Sequence, residues 1–136
     1  MTTRTLTFTL LLLFLVCGCG GGKQQLTGTV TFSDDGSPLT VGTVYMEADG
    51  QMGRGPIIDG KFVMGFASDK DGIPKGKTFA VYIGGALGEA GTDRTGMPID
   101  APLIDPKYSD PKTSGLTFTS DGKTKTLDLK VERYKK

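Results

Sequence analysis

Apolar residues alternate with polar ones in short bursts, and a glycine-bearing turn ends most of them. Leu26, Gly28, Val30 and Phe32 fall on one side of the chain, with Thr27, Thr29 and Thr31 on the other. A period of two belongs to a half-buried β-strand. The pattern returns with Val44, Met46 and Ala48, with Phe62, Met64 and Phe66, and with Phe79, Val81 and Ile83. It returns again with Leu116 and Phe118, and with Leu127, Leu129 and Val131. A weaker strand is expected over Arg54 to Ile58, where Pro56 suits an edge or a bulge. Asp34-Asp35-Gly36-Ser37-Pro38, Asp49-Gly50, Asp59-Gly60 and Asp121-Gly122 are turn chemistry, and Asp59-Gly60 is the strongest hairpin signal. Beyond the first nineteen residues no stretch sustains a 3.6-residue period. Seven short strands at this spacing predict an all-β, seven-stranded antiparallel sandwich of immunoglobulin-like size.

The start of the chain is of another kind. Arg4 precedes an apolar run from Leu6 to Val16, broken only by Thr7 and Thr9. That run is too short to span a bilayer, which takes ~20 apolar residues. A basic start, a short apolar core and small residues after it describe a secretory signal peptide. Val16-Cys17-Gly18-Cys19 resembles the lipobox of bacterial lipoproteins, with Cys19 as the lipidated residue. Cys17 fits worse, because Val16 would occupy the position that needs a small residue. The alternatives are a plain signal peptide with incidental cysteines, or a Cys17–Cys19 bridge, which so small a loop would strain. The resulting organisation is a signal peptide over 1–18, a lipidated cysteine and flexible tether over 19–25, and a sandwich over 26–134. The implied location is the cell envelope, lipid-anchored to a membrane and facing periplasm or exterior. Gly20 after Cys19, where Asp would mark inner-membrane retention in some bacteria, leans towards the outer membrane.

Composition removes whole classes of chemistry. Histidine, tryptophan and asparagine are absent. A histidine-based acid/base site or triad is therefore impossible, as is a zinc site of the usual His/Cys kind. Cys19 is no nucleophile once acylated. The reading is a non-enzymatic protein without a cofactor or metal. The net charge of +1 gives no electrostatic case for nucleic acid or for anionic lipid.

Asp69-Lys70-Asp71-Gly72 resembles the start of a calcium loop, but Ile73-Pro74 follows in place of further ligands, and a solvated turn is favoured. Gly84 to Ser114 holds five glycines and four prolines without convincing periodicity, and its glycine-rich part, Gly84 to Gly96, reads as a mobile loop at one end of the sandwich. It lacks the Gly-Lys-Ser/Thr ending of a phosphate loop. Loops are where sandwiches recognise partners, so Arg94, Asp105, Tyr108 and Asp110 form a candidate binding loop. For Tyr108 the preferred reading is an anchor, its ring packed on the sandwich and its hydroxyl bonded to backbone. The charged C-terminus, Lys130 to Lys136, reads as a solvated face protecting an edge strand.

Four segments resemble small bacterial lipoproteins with a carboxypeptidase-regulatory-like, or transthyretin-like, domain. They are Gly28-Thr29-Val30-Thr31-Phe32 with Gly36-Ser37-Pro38-Leu39; Gly42-Thr43-Val44; Pro74-Lys75-Gly76-Lys77 with Phe79 and Val81; and Pro106 to Thr117, the most specific of the four. Asp34-Asp35 lengthens the first turn relative to that pattern, and Lys77-Thr78-Phe79 adds a residue before the aromatic. The resemblance implies a prealbumin-like sandwich and a lipid anchor, and brings no catalytic residues. The expected function is a monomeric structural or interaction module of the envelope, whose partner is an envelope protein or glycan. The alternative is a small-molecule or carbohydrate carrier that uses the loops at one end.

Overall fold

The computed structural model describes residues 22–136, so the expected signal peptide and Cys19 lie outside the described residues. Within them the protein is all-β apart from one 3-10 turn, Pro106–Ser109. The strands are β1 (Lys23–Gln24), β2 (Thr27–Phe32), β3 (Thr43–Ala48), β4 (Gln51–Pro56), β5 (Lys61–Val63) and β6 (Ile73–Pro74). They continue with β7 (Thr78–Gly84), β8 (Leu87–Thr92), β9 (Pro98–Pro102), β10 (Leu116–Thr119) and β11 (Thr126–Val131). One sheet has the order β10-β7-β3-β4 and a second the order β11-β2-β5. Both turn their apolar sides to one core. Val44, Met46, Phe79, Val81, Ile83 and Phe118 come from the first, and Val30, Phe32, Phe62, Leu129 and Val131 from the second. This two-layer core is consistent with a β-sandwich.

Strands form on each alternating stretch because one side of each is apolar enough to bury. The turns obey the expected chemistry. Asp49 and Gly50, between β3 and β4, have φ of 52° and 73°; Asp59 and Gly60, before β5, have 51° and 77°. Two successive positive φ values make the tight hairpin turn whose twist matches its strands. After β5 the chain changes sheets. Gly65 exchanges both backbone hydrogen bonds with Arg54 of β4, at 2.9 and 3.0 Å. Gly53 and Gly55 face inward on β4 and leave room for this crossing; the Phe66 ring lies against Gly53, where any Cβ would clash.

Three features depart from the sequence reading. First, β11 runs parallel to β2, from Thr126 beside Thr27 to Val131 beside Phe32, so the sandwich is not wholly antiparallel. Alternation fixes which face a residue takes, not strand direction. Second, Lys23–Gln24, read as tether, pair with Ile73–Pro74. Gln24 is buried; its amide nitrogen donates to the Thr124 carbonyl at 2.7 Å and its oxygen accepts from the Gly122 amide at 2.6 Å. Third, Gly84 to Ser114, read as an aperiodic segment that begins in a mobile loop, contains the antiparallel hairpin β8–β9. Every residue from Glu89 to Asp100 is exposed, so neither face carries an apolar alternation to read.

The first turn, Asp34 to Ser37, is held from the other end of the chain. The Arg133 guanidinium donates to Asp34 at 2.8 Å, to Asp35 at 2.9 Å and to the Ser37 hydroxyl at 2.8 Å, and it covers the Phe32 ring. Hydrogen bonds from the Ser37 hydroxyl and amide, with Arg133 beside them, lower the Asp35 pKa from 3.8 to about 2. Asp71 is depressed too, by its bond with Lys23 and then by the amides of Phe66, Ser68 and Ala67. A carboxyl whose folded pKa lies below its unfolded value contributes stability that is full above the unfolded pKa and lost as pH falls through the folded one. The denaturant midpoint is therefore expected to drop as pH falls from about 4 towards 2. Asp35→Asn should lower the midpoint at neutral pH and flatten that acid limb. An unchanged acid limb in Asp35→Asn would refute the assignment.

Candidate functional site

The residues proposed for a binding loop separate into two structures. Asp105, Tyr108 and Asp110 belong to the 3-10 turn and its caps. Asp105 accepts from the Lys107 amide at 2.9 Å, and Asp110 from the Lys112 amide at 2.7 Å. Both carboxylates are thus committed to shaping the turn. Tyr108 is buried in the main core, as an anchor should be, with the Lys107 ammonium 5.0 Å from its ring centroid. Among the described residues its hydroxyl has no hydrogen bond to backbone, which corrects that part of the expectation.

Arg94 lies elsewhere, at the tip of the β8–β9 hairpin. Among the described residues no hydrogen bond or ion pair joins it to Asp105, Tyr108 or Asp110. The tip is built around Asp93. Its carboxylate accepts from the Thr95 amide at 2.7 Å, the Thr95 hydroxyl at 2.6 Å and the Met97 amide at 3.0 Å. These bonds, led by the Thr95 hydroxyl, hold its pKa below the usual carboxylate value. Backbone bonds Asp93 N–H to Met97 and Gly96 N–H to Asp93 close the turn. The base of the hairpin is fixed by buried Ala86 and Ile104, with Leu103 packed under Gly88. Between this base and that tip, Leu87, Met97 and Ile99 stand in solvent. Glu89 and Asp100 face each other across the strands, a like-charge pairing that weakens a hairpin. A two-stranded ribbon is marginal alone, so its built-in tip and base are what hold its shape.

A second surface lies on the outer side of the four-stranded sheet. Tyr45 of β3 and Tyr82 of β7 stack at 5.1 Å, and the Tyr82 hydroxyl reaches the Met52 sulfur at 3.1 Å. Burial, then the charges of Glu47, Tyr45 and Asp110, raise the Tyr82 pKa. Beside this stack a depression of about 390 Å³ is bounded by Tyr45, Met52, Arg54, Phe66 and Asp69. Another of about 230 Å³ lies between Arg54, Ile58, Phe62 and Lys70. Neither is lined by any residue of 84–114. The outward parity of both tyrosines could be read from the alternation, but their stacking depends on strand pairing.

The calcium reading of Asp69 and Asp71 finds no further ligand. Asp71 accepts from the amides of Phe66, Ala67 and Ser68 at 2.6, 3.1 and 3.2 Å and pairs with Lys23, while Asp69 reaches out to Arg54. Among the described residues no three acidic or cysteine side chains gather around a common point. Among them, too, no helix is long and apolar enough to cross a membrane. Compared with protein-family models, with curated proteins and with solved structures, the chain matches none.

Proposed function

We propose that this chain is a lipid-anchored cell-envelope protein whose prealbumin-like sandwich carries a binding hairpin and no catalytic site. The anchor rests on Val16-Cys17-Gly18-Cys19. The observation that carries the interaction reading is the hairpin itself: a pre-shaped ribbon that leaves Leu87, Met97 and Ile99 exposed among the described residues. Shape fixed before binding reduces the ordering cost of association. The depressions lie away from residues 84–114, which favours a protein contact over a ligand held beneath that segment. The partner that fits is an envelope protein offering an apolar strip, with basic groups opposite Glu89, Asp93 and Asp100.

The test is crosslinking of the full chain in its native envelope. Met97→Asp with Ile99→Asp is expected to abolish capture of the partner without changing the amount of protein. Fatty-acid labelling in the same cells should survive Cys17→Ser and vanish with Cys19→Ser. Undiminished capture by the double variant would end the hairpin reading. Loss of capture with Tyr45→Ala instead would favour glycan binding at the stacked tyrosines, the second reading that the outer-face depression supports.

A further inference from the structure

The overall charge of +1 conceals a division of charge between the two ends of the domain. Strand β7 runs from Thr78, near the first described residues, to Gly84, where the hairpin begins, a rise of about 20 Å. At the Thr78 end the Lys75 amide bonds to the Gly22 carbonyl, and the Lys75 side chain lies between Gly22 and Gly122. Lys123 follows Gly122 in that turn, the Lys125 carbonyl accepts from Thr27, and the Lys70 carbonyl accepts from Gln25. Lys70, Lys75, Lys123 and Lys125 are all exposed. Among the described residues none has an acidic partner within ion-pair distance.

The acids at that end are engaged otherwise. Asp71 pairs with Lys23, Asp49 with Lys77 at 3.5 Å and Asp69 with Arg54 at 3.7 Å. Asp121 accepts from the amides of Lys123 and Thr124 and from the Thr124 hydroxyl. The tether end is therefore net cationic. The hairpin end, with Glu89, Asp93 and Asp100 against Arg94, is net anionic.

The chain that leaves this cationic end is very short. Only Gly20, Gly21 and Gly22 follow Cys19 before β1, a reach of about 10–11 Å at full extension. That is close to the Debye length of ~8–10 Å, so the lysines cannot escape the field of a charged bilayer to which Cys19 is tied. We infer that the tether end is a docking face for anionic phospholipid headgroups, contacted by Lys70, Lys75, Lys123 and Lys125. The inference rests on the anchored reading of Cys19. Together with the anchor it fixes the orientation of the domain, with the hairpin pointing away from the membrane.

The test uses the full chain, purified from its membrane and reconstituted into vesicles of phosphatidylcholine alone or with one part in three phosphatidylglycerol. Amine acetylation is followed lysine by lysine by mass spectrometry. Lys70, Lys75, Lys123 and Lys125 should react about fivefold more slowly on the anionic vesicles. Lys112, Lys135 and Lys136 should not change, and high salt should remove the difference. Lys75→Glu with Lys123→Glu should abolish protection of Lys70 and Lys125 without changing the melting curve in solution, since both side chains are exposed. Equal rates on both vesicle types, or protection centred on Lys135 and Lys136, would overturn the inference. The intact mass of the same sample reads acylation separately. An unacylated chain that still shows the protection would remove the anchor and keep the docking face. An unacylated chain without it would remove both.

Discussion

Tyr108→Ala is expected to cost about 3–5 kcal/mol of folding stability, the range for removing a large side chain from a core. The ring belongs to the main hydrophobic cluster and is only 6% exposed. Its position is set by a turn with little freedom of its own. Asp105 caps the start, the Thr113 hydroxyl donates to the Lys107 carbonyl at 2.7 Å, and the Ser114 amide bonds to Asp110 at 2.9 Å. The Ser114 hydroxyl then ties the segment to the Val81 carbonyl of β7 at 2.6 Å. Such a turn cannot collapse into the hole left by the ring, which places the cost towards the upper part of the range. Thr119→Ala is the control: its hydroxyl meets that of Thr78 at the surface, and the change should stay within ~0.5 kcal/mol. Denaturant midpoints of the two variants measure the difference. A Tyr108→Ala midpoint equal to wild type would remove the anchor role.

Gly28→Ala should destabilise the domain by at least the ~3 kcal/mol that marks severe overpacking, although it adds a single carbon. Gly28 lies in β2 between β11 and β5, opposite Leu127 and Phe62. A Cβ there would run into the Leu127 carbonyl oxygen and the edge of the Phe62 ring. The ring could turn; the carbonyl belongs to the β11 backbone and cannot move without opening the β2–β11 pairing. Gly36→Ala is the informative comparison. It has open space around it and only its φ of 72° as an obstacle, so it should cost far less. Equal losses for the two would show that backbone conformation, not crowding, governs the glycines.

Much of the core was legible because burial on one face leaves a mark of period two. Leu26, Val30, Phe32, Val44, Met46, Phe62, Met64, Phe79, Val81, Ile83, Phe118, Leu129 and Val131 are all buried, as the alternation required. Ala48, Phe66, Leu116 and Leu127, at the same parity, are partly buried and pack against that core. Strands lacking a buried face leave no such mark, and β8 and β9 were hidden for that reason. Two-residue strands such as β1 and β6 hold no period at all. The candidate site was legible only in its chain segment. Asp105 and Asp110 were grouped as binding-loop residues, but turn geometry gives each of them an amide partner. Arg94 was grouped with Tyr108 by nearness in sequence, whereas the hairpin carries it to the other end of a ribbon. The cationic face was invisible, since its lysines come from two stretches about fifty residues apart and the total charge cancels their contribution.

The parallel pairing of β11 with β2 has a mechanical side. Six residue pairs, from Thr27 with Thr126 to Phe32 with Val131, join β2, the first long strand, to β11, the last strand. The two strands leave the domain at opposite ends. Tension between the N-terminal side of β2 and the C-terminal side of β11 therefore runs along the pair, across its hydrogen bonds, and loads them in shear. Antiparallel terminal strands leaving at one end would unzip rung by rung under the same pull. Here all six rungs share the load, a connection suited to the anchored arrangement proposed above.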